Sequence, residues 1–576
     1  MNGDNFRDDI PVDGKVNHGD TTLEKSNREF TSRTARIKPS NQTIALNPEW
    51  TPNLEFPPSF RPATEDKAPG KENTQMKNHI QPANTKRLTN NTILSQLMSV
   101  VSGNQGRLVA LSMLAFLLLA SVTSFADSAT WILNPASGRW FMASNWTPAT
   151  IPDGPGDTAT FAISNITNVD LEEGDIEVNG IIFNAGPSPF TITATSFGSF
   201  PSTFIISGVG ISNNSEIIQN FVAKGGYSFG PPGVIQFTNS ATAGDLTVFT
   251  TTSDVISAGR IEFFDSSSAA HGTFINNGAS CSDIGCGTST EFFDTSTADN
   301  AILMANGASG DGLGGVISFQ NDSLGGTARV KVFGNGSLDI SSHNAPGVTI
   351  GSLEGDGVVG LGANNLAIGS NNLSATFSGV IRGAGSLTKI GTGKLTLARS
   401  NKYAGGTVVN EGVLLINNKR ASGTGTRAVQ VNAGTLGGTG IIGGAVTVGT
   451  GSGSGAFLSP GVDAASHHTL AMRNRLTFDS DATYRCGFNS STAHADKVVA
   501  NGVTINSGAQ FSFEDSNASV LPVGSVLTVV DNAAATLIRG AFNNLADGSS
   551  ITVGSNTFQA NYEGGDGNDL TLTVVP

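Results

Sequence analysis

Charge is scarce in this chain. Lys, Arg, Asp and Glu are 14% of its 576 residues, and the deficit falls on the basic side: 32 Lys and Arg against 46 Asp and Glu, a net charge of −14. Nucleic acid needs a basic footprint, so it is set aside as a partner. The acidity lies downstream. Residues 1–126 hold 14 basic and 12 acidic groups, leaving 18 (32 − 14) and 34 (46 − 12) for 127–576. Such a surface favours solubility and attracts cations weakly. Catalytic signatures are also missing: there is no GxSxG, no phosphate-binding loop, no dinucleotide fingerprint, and no HExxH around His467, His468 or His494. A lyase or hydrolase would bring several carboxylates together with Arg or Lys on one face. Asp265 and Asp294 have no basic partner at an aligned position. The expectation is a protein that is not an enzyme.

Cysteine is nearly absent. Cys281 and Cys286 bracket Ser-Asp-Ile-Gly at a spacing that closes a small disulfide loop in an oxidising compartment, and Cys486 is left over. A disulfide or free thiols are expected here and not a metal site, because no His or second Cys pair stands at ligand spacing. Long apolar runs are missing apart from Leu108–Val122, which follows Arg107 and precedes Ser124-Phe125-Ala126. It is short of the roughly 20 residues of a membrane span and has the length and flanks of a secretory signal. We read 107–126 as a signal cleaved between Ala126 and Asp127, and a start at Met98 is one explanation of its position. The alternative is a cytoplasmic extension with an uncleaved anchor, so membrane contact arises only through 108–122. Residues 1–106 are polar and aperiodic, and read as a disordered extension or a mis-assigned start.

Glycine, by contrast, is abundant at 72 residues, well above the roughly 7% of average usage. Between the glycines lie short apolar/polar alternations with the period of two that marks strands. They are densest in Gly379–Asn417: Ser386-Leu387-Thr388-Lys389, Lys394-Leu395-Thr396-Leu397, Thr407-Val408-Val409 and Val413-Leu414-Leu415-Ile416. Strands this short bury an apolar face only when successive turns of chain stack. A second repeat stands upstream. Phe237, Phe263, Phe292 and Phe319 occupy equivalent places in IQFTN, IEFFD, TEFFD and ISFQN, at steps of 26, 29 and 27 residues. One coil per repeat stacks the four rings inside a solenoid. It also lines up Asn239, Asp265, Asp294 and Asn321 at a turn, as an Asx ladder bonding its own backbone. Calcium is the sharper alternative there, but only two of the four are charged. At about 25 residues per coil, 127–576 makes roughly 18 coils.

The string SLTKIGTGKLTL, then SN-x-YAGGT-VVNEGVLLIN, AVQVNAGTLGGTGIIGGAVTV (Ala428–Val448) and LSPG (Leu458–Gly461) resembles the autotransporter-associated β-strand repeat of bacterial surface passengers. The resemblance implies an all-β, right-handed parallel β-helix, exported and displayed outside the cell, with no enzymatic chemistry in the repeat. Ala129–Phe161, which carries Trp131, Trp140 and Trp146, looks like the opening segment of the same family. Those Trp are read as a cap over the first coil, with sugar contact by Trp140 and Trp146 as the alternative. Ala495-Asp496-Lys497 matches the family's closing turn. The 115 residues after Gly461 (576 − 461) are too few and too irregular for a translocator barrel, so a passenger-like part without that barrel is expected. Gly564-Gly565-Asp566-Gly567-Asn568-Asp569-Leu570 resembles a single calcium nonapeptide, with a hairpin turn as the plainer reading.

The resulting layout is 1–106 extension, 107–126 signal, 127–200 cap and first coils, 201–345 Phe-bearing coils, 346–462 repeat coils and 463–576 closing coils and cap. The function expected is an exported, non-enzymatic structural or adhesive solenoid at the outer surface of a bacterium or beyond it, with extracellular glycans, matrix or cell surfaces as partners and no cofactor. The alternative is a β-helical carbohydrate-binding or carbohydrate-active protein.

Overall fold

The structure, a computed structural model, describes residues 127–576 except 173, 197–201, 227–229, 255–256, 280–285, 454 and 462–467. The signal segment, Ala126 and Cys281 therefore lie outside the described residues. Among the described residues no helix is long and apolar enough to cross a membrane.

Alternation dictates the strands. In Gln219–Lys224, Gln219, Phe221 and Ala223 point inward and are buried, while Asn220, Val222 and Lys224 face out. A strand of this kind exposes unpaired backbone groups along both edges, and each is satisfied by the coil above or below. The chain accordingly forms an all-β parallel solenoid of about 14 turns. The first sheet has 13 strands and climbs from Ala129–Trp131 to Lys402–Tyr403, with Trp146–Thr147 at its outer edge. The second, on another side of the coil, has 16 strands, beginning at Asn168–Leu171 and running through Ala482–Asn489, with Gln510–Asp515 paired beyond it. Both continue from the Phe-bearing coils into 346–462, so the two repeats belong to one solenoid. A third sheet of eight strands opens only at Gly347–Ile350, and a fourth of seven at Ile441–Ile442.

The expected 18 or so coils are corrected to about 14. Upstream, the long coils add a corner held by single bridges through Thr242, Ser268, Thr297 and Leu324. In the repeat the coils are shorter: Leu338, Val359 and Ile381 pair in succession at steps of 21 and 22 residues. Glycine permits that tightening. Gly391, Gly412 and Gly434 recur one per coil with φ of 65°, 67° and 80°. A Cβ on Gly391 would stand 2.0 Å from the Gly369 carbonyl oxygen, and one on Gly412 would stand 2.4 Å from that of Gly391. Only a residue without Cβ fits this column.

Two devices close the ends. At the start, Trp131, Trp140 and Trp146 are 1%, 0% and 2% exposed. They pack edge to face at 4.9–5.0 Å, and their indole N–H groups donate to the carbonyls of Ile166, Pro152 and Trp140. Sugar contact by Trp140 and Trp146 is thereby overturned, because a buried ring has no face to offer a ligand; they cover the first coil. At the other end, Ser550–Val553, Asn556–Gly564 and Asp569–Val575 pair antiparallel and lie against Val526–Asn532. The side chain of Asn544 accepts from the Phe511 N–H and donates to the Phe511 carbonyl, both at 2.8 Å, which satisfies backbone on the outer edge of the second sheet.

Candidate contact surface

The four aligned Phe are core residues. They pair in register, are fully buried, and stack with ring centroids 4.7, 4.8 and 4.9 Å apart at interplanar angles of 6°, 9° and 11°. A second column, Phe221, Phe249 and Phe274, rises beside them with spacings of 4.8 and 4.7 Å and meets the first edge to face. The sequence concealed it because each of its Phe sits in a differently spelled strand, QNFVAK, TVFTTT or TFIN.

Asn239, Asp265, Asp294 and Asn321 do align at an exposed turn, and all four have φ between 52° and 56°, the left-handed region that Asn and Asp tolerate best. Their bonding differs from the expectation of each side chain serving its own turn. The Asp265 carboxylate accepts from the Asn239 N–H at 2.8 Å, Asp294 from the Asp265 N–H at 3.2 Å, and Asn321 from the Asp294 N–H at 3.3 Å. Each side chain ties its coil to the one before, which uses acceptors that a calcium ion would need. Among the described residues no three His, Cys, Asp or Glu side chains converge as metal ligands. The 564–570 string is the turn of the closing hairpin: Asp569 accepts from the Asn532 N–H, and Asn568 donates to the Ala534 carbonyl.

Cys286 is disulfide-bonded and Cys486 is free and buried. Cys486 sits beside Asp496, which is 1% exposed and accepts from the backbone N–H of His468 at 2.8 Å and of Gly487 at 3.1 Å, with the His468 ring 3.4 Å away. Burial and the neighbouring Asp496 push the Cys486 thiol well above its usual range. Through its two oxygens Asp496 joins the backbone of His468 to that of Gly487 in the following coil.

Lys389, inside the repeat, is another buried joint that sequence reading passed over as an ordinary strand position. It is 1% exposed, and its Nζ donates to the carbonyls of Ile390 and Gly391 at 2.6 Å and of Glu411 on the next coil at 3.3 Å. Burial lowers its pKa to about 8, against a smaller upward pull from Glu411. Below that pH both folded and unfolded chains carry the charge. Between about 8 and the ordinary lysine value of 10.5 only the unfolded chain stays protonated, so stability rises with pH across this window. Urea unfolding of wild type and Lys389→Met at pH 7 and pH 10 is expected to show wild type gaining up to roughly 2.5 kcal/mol more than the variant. An equal change in both would refute the assignment.

What the solenoid offers to a partner lies outside. Two hollows follow one another along the outer face of the second sheet. The first, about 360 Å³, is lined by Arg329, Lys331, Glu354, Thr376 and Lys394 among others. The second, about 510 Å³, is lined by Thr435, Phe457, Ser459, Thr483, Arg485 and Glu514 among others. The strands that carry them, Arg329–Val332 to Gln510–Asp515, are nine consecutive members of that sheet, a span of roughly 38 Å at the strand spacing. Register keeps the face continuous: Lys394, Val413, Thr435, Phe457 and Thr483 pair in succession. Arg329 and Glu354 are bound to each other. The Arg485 guanidinium lies 3.4 Å from the Phe457 ring centroid, within cation–π reach. The face thus presents hydroxyls, the rings of Phe333 and Phe457, and charges of both signs.

Residues 387–416 match the Passenger-associated-transport-repeat family. Over 118 residues, 19% of this chain, the sequence is 42% identical to the adhesin BmaC autotransporter of Brucella suis biovar 1 (strain 1330). Over 134 residues, 23% of this chain, it is 32% identical to an extracellular serine protease of Serratia marcescens. These stretches span 3% and 12% of those relatives' own lengths. The chain thus carries an autotransporter-associated repeat like that of bacterial surface passengers.

Proposed function

We propose that this chain is a non-enzymatic, exported passenger-like β-solenoid that serves as an adhesive or structural protein at the outer surface of a bacterium or beyond it. The observation that carries the reading is position. The repeat at 387–416 lies in the middle of the grooved face, with Lys394 and Val413 lining it. The adhesin relative supports the adhesive role. The right-handed coiling that the family resemblance implies belongs to the same proposal. Partners are extracellular glycans, matrix or cell surfaces, held by many weak contacts summed over the nine strands. The Cys486 thiol, which burial and Asp496 push well above its usual range, fits a structural role at that position.

Binding of the purified exported protein to whole cells and immobilised polysaccharides tests the proposal. Phe457→Ala combined with Arg485→Ala is expected to weaken adhesion about tenfold, the effect of losing ~1.4 kcal/mol at a contact hot spot, with the fold intact by circular dichroism. Undiminished binding would move the contact elsewhere. Retention of the chain inside the cell would defeat the reading as a whole.

A further inference from the structure

Three carboxylates gather where the described chain begins. Asp157 is 4% exposed. One of its oxygens accepts from the N–H of Asp153 and of Gly154, at 3.2 and 2.9 Å, and the other accepts from the backbone nitrogen of Asp127 at 2.5 Å. Burial, then the charges of Asp157 and Asp127, raise the Asp153 carboxyl above its usual range. Among the described residues none of the three carboxylates has an ion-pair partner. An opposite charge beside them would favour their ionised forms. The nitrogen resting on Asp157 is also the first atom downstream of the Ala126–Asp127 bond, where the small residues that follow Leu108–Val122 place a cleavage point.

We propose that Ala126–Asp127 is a processing site and that the α-ammonium it releases on Asp127 is such a charge, received by the buried carboxylate of Asp157. Water adds across the peptide bond, catalysed by an export-linked endopeptidase. Ala126 departs with a carboxylate terminus, and the Asp127 nitrogen takes up protons to become an ammonium. A bond from a neutral amide to the carboxylate thereby becomes an ion pair between two opposite charges. The surroundings are built to hold that end in place. The Thr158 N–H donates to Ser128 Oγ at 2.8 Å, Thr150 Oγ1 donates to the Asp127 carbonyl at 3.3 Å, and Ala129 enters the first sheet beside Ala159. The Asp157 carbonyl, in turn, accepts from the N–H of Asn179 on the next coil at 2.8 Å. Processing would thus fasten the tryptophan cap to the coils behind it.

The inference rests on the export proposed above, and its test separates the two. The protein is purified from the exported fraction, its first residue is determined, and its α-amine is acetylated at neutral pH. Asp127 is expected at the N-terminus. Its amine should react about tenfold more slowly than in Asp157→Asn, the loss expected when ion pairing raises an amine pKa by about one unit. Asp153→Asn serves as the control that keeps the slow rate. Should Asp157→Asn lose its β-sheet signature, native and urea-unfolded wild type compared directly report the same protection. A different first residue in exported protein, or an amine equally reactive with and without Asp157, overturns the inference alone. Full-length chain confined to the cell overturns the functional proposal.

Discussion

Phe263→Asp is expected to unfold the coils around it. Phe263 is fully buried, stacked on Phe237 at 4.7 Å and Phe292 at 4.8 Å, and touched edge-on by Phe274 at 5.5 Å. Removing such a ring costs about 3–5 kcal/mol through lost transfer and the cavity left behind. An uncompensated buried carboxylate adds several more, so the total exceeds the stability that a few coils share. Because each coil contacts only its neighbours, the damage should spread outward from residues 233–305 and leave distant coils folded. Hydrogen exchange read by mass spectrometry should show protection lost there first, with a split or lowered melting transition. An unchanged melt would mean that the ring column does not carry this part of the solenoid.

Trp140→Ala should cost about 3–5 kcal/mol by the same reasoning, but at an end. Trp140 is 0% exposed and touches Trp146, Phe161 and Phe204 at 4.9, 6.0 and 5.3 Å, and its carbonyl holds the Trp146 indole. Without it the first coils lose their cover and should fray, exposing Thr158–Phe161 and Ile176–Phe183 to limited proteolysis while the repeat stays resistant. The converse result, resistance at the start and cleavage in the repeat, would assign the tryptophans some other task.

Much of the architecture was legible because a solenoid repeats its chemistry in sequence. The steps between Phe237, Phe263, Phe292 and Phe319 read directly as stacked neighbours, and the Asx positions beside them aligned for the same reason. The direction of the Asx bonds was not legible. A side chain that accepts from the residue one coil earlier looks, in sequence, identical to one that accepts within its own turn. Coil length also misled, because extra corners and tight glycine columns change the number of residues per turn without changing the strand spelling. Lys389 and Asp496 read as ordinary charged residues, and only their placement between coils makes them buried joints. The grooved outer face escaped because its residues, from Arg329 to Glu514, come from nine strands and share no motif.

By itself, then, the sequence determined the strand period, the stacking of like positions and the kinship of the repeat, because each is a local pattern recurring along the chain. Tertiary structure decided which aromatic rings are cover and which are column, which charges are buried between coils, and where a partner can lie. Those depend on what the coil above or below brings within a few ångströms, and neighbours along the solenoid axis stand 20 to 30 residues away in the chain.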